Sequence, residues 1–437
     1  MKHPEAWLIT LLLVLSGLGA GAQSTQLTLA DALAIALKNN YDIQLVNNNA
    51  TMASNNNNAG NAGMLPSVTL NAGASNANNN TRQLFASGLE VNKNGVGSNN
   101  LNAGIALNWT IYDGMKMFAT KNKLEEMEKM GMLSVKIQVE STLSKVIGAY
   151  YDIVQQKEIL TGIQENIGIS KERLKIAEKR FDIGNASKLE LLQAKTDYNA
   201  QQSAMMKQET LVKQSKVVLN QLLSRAIDTD FDVADSIPLE TLPDYKALSS
   251  SAESTNSDLL YASKLISVSN LQLKEARSGL QPRMNLTSGY QFARSENQAG
   301  FSLLNQNLGL NVGVNVSYPL FTGFATRTQI RNATLMQANA GINYNQVKTT
   351  VQTKLYNAWL QYEQYRNILK MEEENVQLTK EAVSLAMERF RTGTGTTLEL
   401  KDVQKTYQDA QTRCYQAAYQ AKLAETELKR IKGDLVK

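Results

Sequence analysis

The chain has 437 residues, with 45 Lys and Arg against 40 Asp and Glu, and its net charge of +5 is spread along its length. Its only histidine is His3 and its only cysteine is Cys414, which excludes disulfides, Cys/His metal sites and nucleophile–histidine pairs. The sequence has no cluster of basic residues interleaved with aromatic ones, the pattern that would indicate a nucleic-acid-binding surface. The composition therefore predicts no catalytic residues, no metal site, no cofactor and no nucleic-acid partner, and the protein is not expected to be an enzyme.

Residues 1–22 have the features of a secretory signal peptide. Lys2 is basic, residues 7–15 are apolar, and Ala20-Gly-Ala22 forms an A-x-A cleavage site before Gln23. The alternative is a membrane anchor, but the apolar run is too short to span a bilayer comfortably. The chain is therefore expected to leave the cytoplasm.

The segment from Leu27 to Ala62 begins with apolar residues at near-helical spacing and then becomes rich in asparagine. Asparagine is a poor helix former. Residues 47–61 are therefore either the end of this opening helix or a disordered linker. Gly63-Met-Leu-Pro66 ends the segment, and Gly279-Leu-Gln-Pro282 is its counterpart later in the chain.

Four stretches alternate apolar residues with small or polar ones, and they are predicted to be strands at about 65–77, 101–112, 283–293 and 308–320. Two of them are about a dozen residues long, enough to cross a bilayer at a tilt, and Trp109, Tyr112 and Tyr318 lie near their ends. Strands of a soluble sandwich would alternate in the same way, but the signal peptide and the strand length favour a transmembrane β-barrel. The polar stretches 75–100 and 293–307 are expected to be outer loops.

The rest of the chain has helical periodicity with narrow apolar stripes. Long helices are predicted at 114–181 and 323–390, return helices at 187–225 and 396–432, opening helices at about 28–62 and 247–279, and a connector at 226–246. Each long helix would reach ~100 Å, about the length of one opening helix and one return helix together. The short helices are therefore expected to stack end to end beside a long one. Narrow apolar stripes are typical of helices that contact solvent on two sides, as in the wall of a tube. An extended coiled coil with solvated faces is the alternative.

The sequence is duplicated. Residues 180–198 and 389–407 align at one offset of 209, including Gly184 with Gly393 and Glu190 with Glu399. Each copy predicts a helix that ends at a left-handed glycine and a following helix that opens with an S/T-x-x-E capping box. The predicted domains are a first repeat at 23–246 and a second at 247–437, each with a helical hairpin whose tip is this stretch.

The predicted fold class is mixed α and β, with a duplicated unit of one transmembrane β-hairpin and long coiled-coil helices. Four strands cannot close a barrel, since known membrane barrels have at least eight, and open strand edges are not tolerated in lipid. Several copies of the chain must therefore share one barrel.

With these features the chain resembles the TolC-like outer-membrane efflux proteins, or outer membrane factors, over essentially the whole mature sequence. The resemblance is carried by the duplication, by Gly63-Met-Leu-Pro66 before a strand, by Phe-x-x-Gly-(x)4-Leu-Glu-Leu at 181–191 and 390–400, and by the order of elements. It implies a homotrimer whose strands form a twelve-stranded barrel in the lipid of the outer membrane. It also implies a helical periplasmic tunnel that tapers at the tips and works with a periplasmic adaptor and an inner-membrane pump.

The resemblance also implies a pore constriction at Glu190, Glu399, Asp402 and Phe390. A capping box is the main local reason for the two glutamates, and it does not exclude a place in the pore. Burial between paired helices is the favoured alternative for Phe390, because Phe181 matches it in the other repeat. Asp402 has Gln193 as its counterpart and is either a pore residue or an ordinary solvated one.

The tip turns at Gly184, Gly393 and Gly395 are expected to meet the partner protein. Gly395 stands where some family members carry a basic residue that bridges the closed gate, which puts an ionic lock in doubt. Arg389, Arg391, Lys188 or Lys401 could replace it.

Three functions remain to be compared. The sequence favours a channel that passively conducts exported substrates. The alternatives are a periplasmic coiled-coil structural protein without a pore, and an enzyme with a carboxylate pair, against which the lack of a globular pocket argues.

Overall fold

The computed structural model describes residues 26–299 and 302–435, so the predicted signal peptide lies outside the described residues. Within these ranges the chain forms eight helices and four strands. The elements are α1 (Leu29–Asn39), α2 (Tyr41–Asn56), β1 (Ser67–Leu84), β2 (Glu90–Tyr112), α3 (Lys116–Asp182), α4 (Lys188–Leu222), α5 (Tyr245–Thr255), α6 (Ser257–Ser278), β3 (Arg283–Asn297), β4 (Leu304–Ser317), α7 (Ala325–Thr392) and α8 (Thr397–Lys432).

The chain divides into two compact units. A helical unit contains residues 136–257 and 349–435 together with the segment before residue 46, and a sheet-bearing unit contains residues 46–135 and 258–348. No helix among the described residues is both long and apolar enough to cross a membrane.

Each opening helix, predicted as one continuous helix, is broken by an asparagine in extended conformation, Asn40 (ψ 127°) and Asn256 (ψ 122°). The Asn40 side-chain amide donates to the carbonyl of Leu222 at 2.8 Å, and its oxygen accepts from the backbone N–H groups of Asp42 and Ile43. One side chain thereby provides hydrogen-bond partners for a carbonyl in the last turn of α4 and for two N–H groups in the first turn of α2. Backbone groups in these end turns have no partners within their own helices. Asn256 likewise donates to the carbonyl of Ile431 at 2.9 Å.

The asparagine-rich segment is helical as far as Asn56, so the disordered-linker alternative is wrong for most of 47–61. Tertiary contacts override the low helix propensity of asparagine here. Ser54 donates to Glu128 of α3 at 2.7 Å, and Asn57 also bonds this carboxylate. Gly131 lets α3 approach closely, because a Cβ there would lie 3.2 Å from the Cα of Ala50.

The four strands form one antiparallel sheet in the order β1-β2-β3-β4, so the two hairpins pair with each other through β2 and β3. The prediction of outer loops at 75–100 and 293–307 is wrong for most of both ranges, since β1 and β2 continue to a turn at 85–89 and β3 continues to Asn297. Antiparallel pairing uses backbone groups, so polar side chains do not end it. The asparagines even pair across strands, as Asn76 does with Asn99 at 2.5 Å.

The sheet has an apolar face and a small, polar face. The cross-strand row of Leu70, Ile105, Tyr290 and Leu310 belongs to the first face, and the next row, from Asn71 through Gly104 and Gln291 to Gly309, belongs to the second. The stretches 67–81, 94–112, 284–293 and 302–320 contain no Asp, Glu, Lys or Arg. In β3 the uncharged stretch of ten residues spans ~33 Å, close to the ~30 Å of a bilayer core.

The core of the helical unit holds the connector between the repeats, residues 226–244, against the helices. Phe231 and Val233 are buried in a cluster with side chains from α1, α3 and α4. The Tyr150 hydroxyl accepts from the backbone N–H of Ala234 at 3.1 Å, and the Tyr362 hydroxyl donates to the carbonyl of Glu240 at 2.6 Å. The connector is therefore a packed part of the unit.

Candidate functional site at the paired helix turns

The two predicted tips are both present in the helical unit, and both are closed by a left-handed glycine. Gly184 has φ 79° and Gly393 has φ 81°. The N–H of Gly184 bonds the carbonyl of Phe181 at 2.9 Å, and the N–H of Asn185 bonds the carbonyl of Arg180 at 2.7 Å. This bond pair is a Schellman motif, and the second turn repeats it around Gly393.

The helices that follow the turns begin with side-chain caps. Ser187 accepts from the N–H of Glu190 at 3.2 Å, and Thr396 accepts from the N–H of Glu399 at 3.1 Å. The glutamate carboxylates, however, have other partners. Glu190 accepts from the hydroxyl of Thr397 in the other repeat at 2.8 Å. The serine and threonine caps thus form as in a capping box, while the acids reach outward to link neighbouring elements.

Gly395 is buried against the end of α7. A Cβ at this position would lie 3.0–3.1 Å from backbone and Cβ atoms of Arg389 and Phe390. The turn therefore needs glycine for close packing, which explains why no basic residue stands there.

Phe390 is fully buried, with Ala386 and Leu400, and Ile176 and Met387 pack against them. A side chain enclosed within its own chain does not line a pore in this conformation, so the structure agrees with burial between paired helices, the alternative to a place for Phe390 at the constriction. The guanidinium of Arg180 lies 5.5 Å from the centre of its ring. Its counterpart Phe181 is 38% exposed, so the two repeats differ here.

The three predicted acidic residues have different surroundings. Glu190 lies 3.8 Å from Arg180, and Glu399 lies 3.3 Å from Arg389. Asp402 is exposed, and its carboxylate forms no ion pair or hydrogen bond with any part of the chain that the structure describes. Of the three, Asp402 is the one with its charge fully available to solvent.

The structure adds an ion triad that sequence reasoning missed. Arg173 is 1% exposed, and its Nη2 donates to Asp197 at 2.7 Å, while Lys401 of the other repeat approaches the same carboxylate at 2.8 Å. Burial lowers the pKa of Arg173, and the charge of Asp197 opposes that shift. The guanidinium still stays charged, because arginine does not deprotonate in proteins.

A signal for this triad was present in the duplication. At the offset of 209, Arg173 has Ala382 as its counterpart, Asp197 has Thr406, and Lys401 has Leu192. The sequence could therefore single out these three charges as unmatched between the repeats, but which of them meet depends on how the helices pack.

A layer of amides above the turns further joins α8 to α3. Gln404 donates to the carbonyl of Asn166 at 2.9 Å and to the hydroxyl of Ser170 at 2.8 Å. Tyr407 donates to Glu165 at 3.1 Å, and burial together with this carboxylate raises the pKa of Tyr407 to about 12. These bonds cross from one repeat to the other.

A groove of about 550 Å³ runs between α3 and α7 in the helical unit. Its lining combines apolar Ile169, Val383 and Met387 with the carboxylates of Glu165, Glu172 and Glu388. Arg391 reaches Glu172 at 3.6 Å. Among the described residues no group of three or more His, Cys, Asp or Glu side chains is arranged to hold a metal ion.

The chain matches the sequence profile of the family "Outer membrane efflux protein" over residues 32–225 and again over 248–434. It is 23% identical to the outer membrane efflux protein BepC of Brucella suis over 335 residues, which is 76% of this chain and 71% of BepC. It is 20% identical to the outer membrane protein TolC of Salmonella enteritidis, with 78% and 71% of the two chains covered.

Solved structures share the fold. The CmeC outer membrane channel of Campylobacter jejuni superposes with a TM-score of 0.78 over 93% of this chain and 85% of CmeC, at 18% identity. The outer-membrane channel OprN has the same TM-score and identity, with 93% and 89% covered.

Proposed function

Given that this chain belongs to the outer membrane efflux protein family and serves export across the outer membrane, we propose that three copies assemble into one passive duct. The observation that supports this most is the four-stranded sheet, whose outer strands β1 and β4 each have one edge without a strand partner among the described residues. Open edges are not stable in lipid. Three sheets joined edge to edge give a closed barrel of twelve strands, within the size range of membrane barrels.

The two faces of the sheet fit opposite sides of such a barrel. The apolar face, with Leu310, Val312 and Val314 all at least 60% exposed in one chain, would contact lipid. The polar face of amides, hydroxyls and glycines would line the lumen. The charged residues that flank the uncharged stretches, such as Arg82 and Lys93 at one end, would then lie at the aqueous margins.

In this assembly the paired helix turns form the gated end of the duct. Asp402 supplies up to three free carboxylates around the pore, with Glu399 three residues before it on the same helix face. Rings of carboxylates favour cations. The Asp197 contacts, the bond from Thr397 to Glu190 and the amide layer hold the two repeats together in the closed state.

The partners would be a periplasmic adaptor and an inner-membrane pump. The turns at 182–187 and 391–394 are mostly exposed, so their backbone and side-chain groups can contact a partner without leaving the core. The neighbouring groove has an apolar part formed by Ile169, Val383 and Met387, which suits the apolar face of an amphipathic helix. Its carboxylates are partly balanced, because Lys380 also lines the groove and Arg391 pairs with Glu172 and Glu388.

Two measurements test the proposal. Native mass spectrometry of the protein in detergent should give the mass of a trimer, and reconstitution in a planar bilayer should give discrete conductance steps. A monomer that stays soluble without detergent and conducts nothing would instead indicate the coiled-coil structural protein.

A further inference from the structure

We infer that the sheet-bearing unit contains an anion-binding groove that takes carboxylate or phosphate groups of polar molecules passing through the duct; the assignment to cargo rests on the proposed function. The groove has a volume of about 940 Å³, within the range of small-molecule sites. It is lined by the first turns of α3, the last turns of α6, the start of α7 and the first residue of β3.

The charges of the groove are unbalanced. Its lining includes Lys116, Lys123 and Arg283 but a single acid, Glu275. Both carboxylate oxygens of Glu275 are already engaged, one by Lys123 at 2.8 Å and one by the hydroxyl of Thr120 at 2.6 Å. The acid is therefore neutralised by its own neighbours.

Two cations remain for a ligand. Lys116 and Arg283 are exposed, and neither forms an ion pair with any described residue. A guanidinium binds carboxylate or phosphate through two parallel bonds, and an ammonium adds a point charge. The amides of Gln272, Gln329 and Asn332 also line the groove and can donate to the same anion.

Several residues that line the groove are small, including Ala276, Gly279 and Ala333. A Cβ at Gly279 would lie 3.2 Å from the side chain of Thr326. Met336 is the one large apolar side chain among the lining residues, so the groove favours a polar ligand over an apolar one.

The register of the sheet shows on which face of the sheet Arg283 lies. Arg283 pairs with Ser317, and Asn285, two residues on, pairs with Asn315. Side chains two residues apart share a face, so Arg283 belongs to the polar face and not to the face of Leu286 and Val314. A ligand in the lumen can reach it, whereas a lipid on the apolar face cannot.

The basic residues are also specific to one repeat. Lys116 has Ala325 as its counterpart at the offset of 209, and Arg283 has Ser67 at the offset of 216 that relates the two Pro-containing turns. The charge of this groove is therefore not a general property of the duplicated unit.

The test is calorimetric binding of inorganic phosphate and citrate to the detergent-purified protein, which needs no conduction. We expect Lys116→Gln with Arg283→Gln to weaken binding at least tenfold, and higher salt to weaken wild-type binding through screening. The control, Lys93→Gln with Lys207→Gln, removes two exposed charges elsewhere and should bind as wild type.

Several results would overturn the inference. They are no binding by wild type, equal losses in both double variants, or retention of anionic phospholipid by the groove in native mass spectrometry without binding of the free anions. The last result would assign the groove to a lipid headgroup. Circular dichroism melting of each variant establishes that a loss of binding is not a loss of fold.

Discussion

Replacing Asp197 with asparagine should loosen the helix turns more than any other single change of charge near them. The substitution keeps the volume of the side chain but leaves the guanidinium of Arg173, which is 1% exposed, without its counter-ion. Breaking a buried pair by removing one partner costs ~3–5 kcal/mol. Because the Asp197 side chain is 20% exposed, solvent compensates partly, and we expect about 3 kcal/mol.

The buried charge, and not the lost bond, should account for most of this cost. The Nε and Nη1 atoms of Arg173 have no hydrogen-bond partner in the described structure, so Arg173→Met removes an unsatisfied group. The double variant Arg173→Met with Asp197→Asn should therefore be more stable than Asp197→Asn alone. Lys401→Met removes only the ion pair between Lys401 and Asp197. Because the Lys401 side chain is 55% exposed, this loss should lower the free energy of unfolding by less than ~1 kcal/mol.

Native-state hydrogen exchange of the segments 166–182 and 188–204 measures the local opening free energy directly. A loss of about 3 kcal/mol raises the exchange rate of protected amides roughly a hundredfold in Asp197→Asn. Wider or more frequent openings should appear in planar bilayers with the same variant. Unchanged protection in Asp197→Asn, or a double variant that exchanges as fast as the single one, would contradict the argument from buried charge.

Three other variants give separate tests. Asp402→Asn with Glu399→Gln should abolish cation preference in bilayer reversal potentials, and a double variant that stays cation-selective would move these acids out of the pore. Gly184→Val should cost ~1 kcal/mol or more because valine does not adopt a positive φ, and export of a fluorescent substrate by cells should fall; full export would exclude this turn from partner docking. Asn40→Ala should cost ~1–2 kcal/mol through the loss of two caps, seen as faster exchange at the last turn of α4, with Asn39→Ala as the control.

The sequence by itself determined the kinds of elements and their order. Side-chain periods of 2 and 3.6 residues follow directly from strand and helix geometry, so strands and long helices could be recognised without any tertiary contact. The glycine turns and their Ser187 and Thr396 caps could be predicted for the same reason, because they depend on local backbone chemistry. The offset of 209 related one half of the chain to the other.

The tertiary structure alone decided where the strands end, which side chains are buried and which charges meet. Strand pairing through the asparagine-rich stretch depends on backbone groups of a neighbouring strand, which side-chain polarity does not report. The break at Asn40 depends on a carbonyl of Leu222, 182 positions away. Phe390 is enclosed and Phe181 is not, although their local sequences match. Arg173, Asp197 and Lys401 come together only because three helices pack side by side, and contacts between distant segments leave no periodic trace in a single sequence.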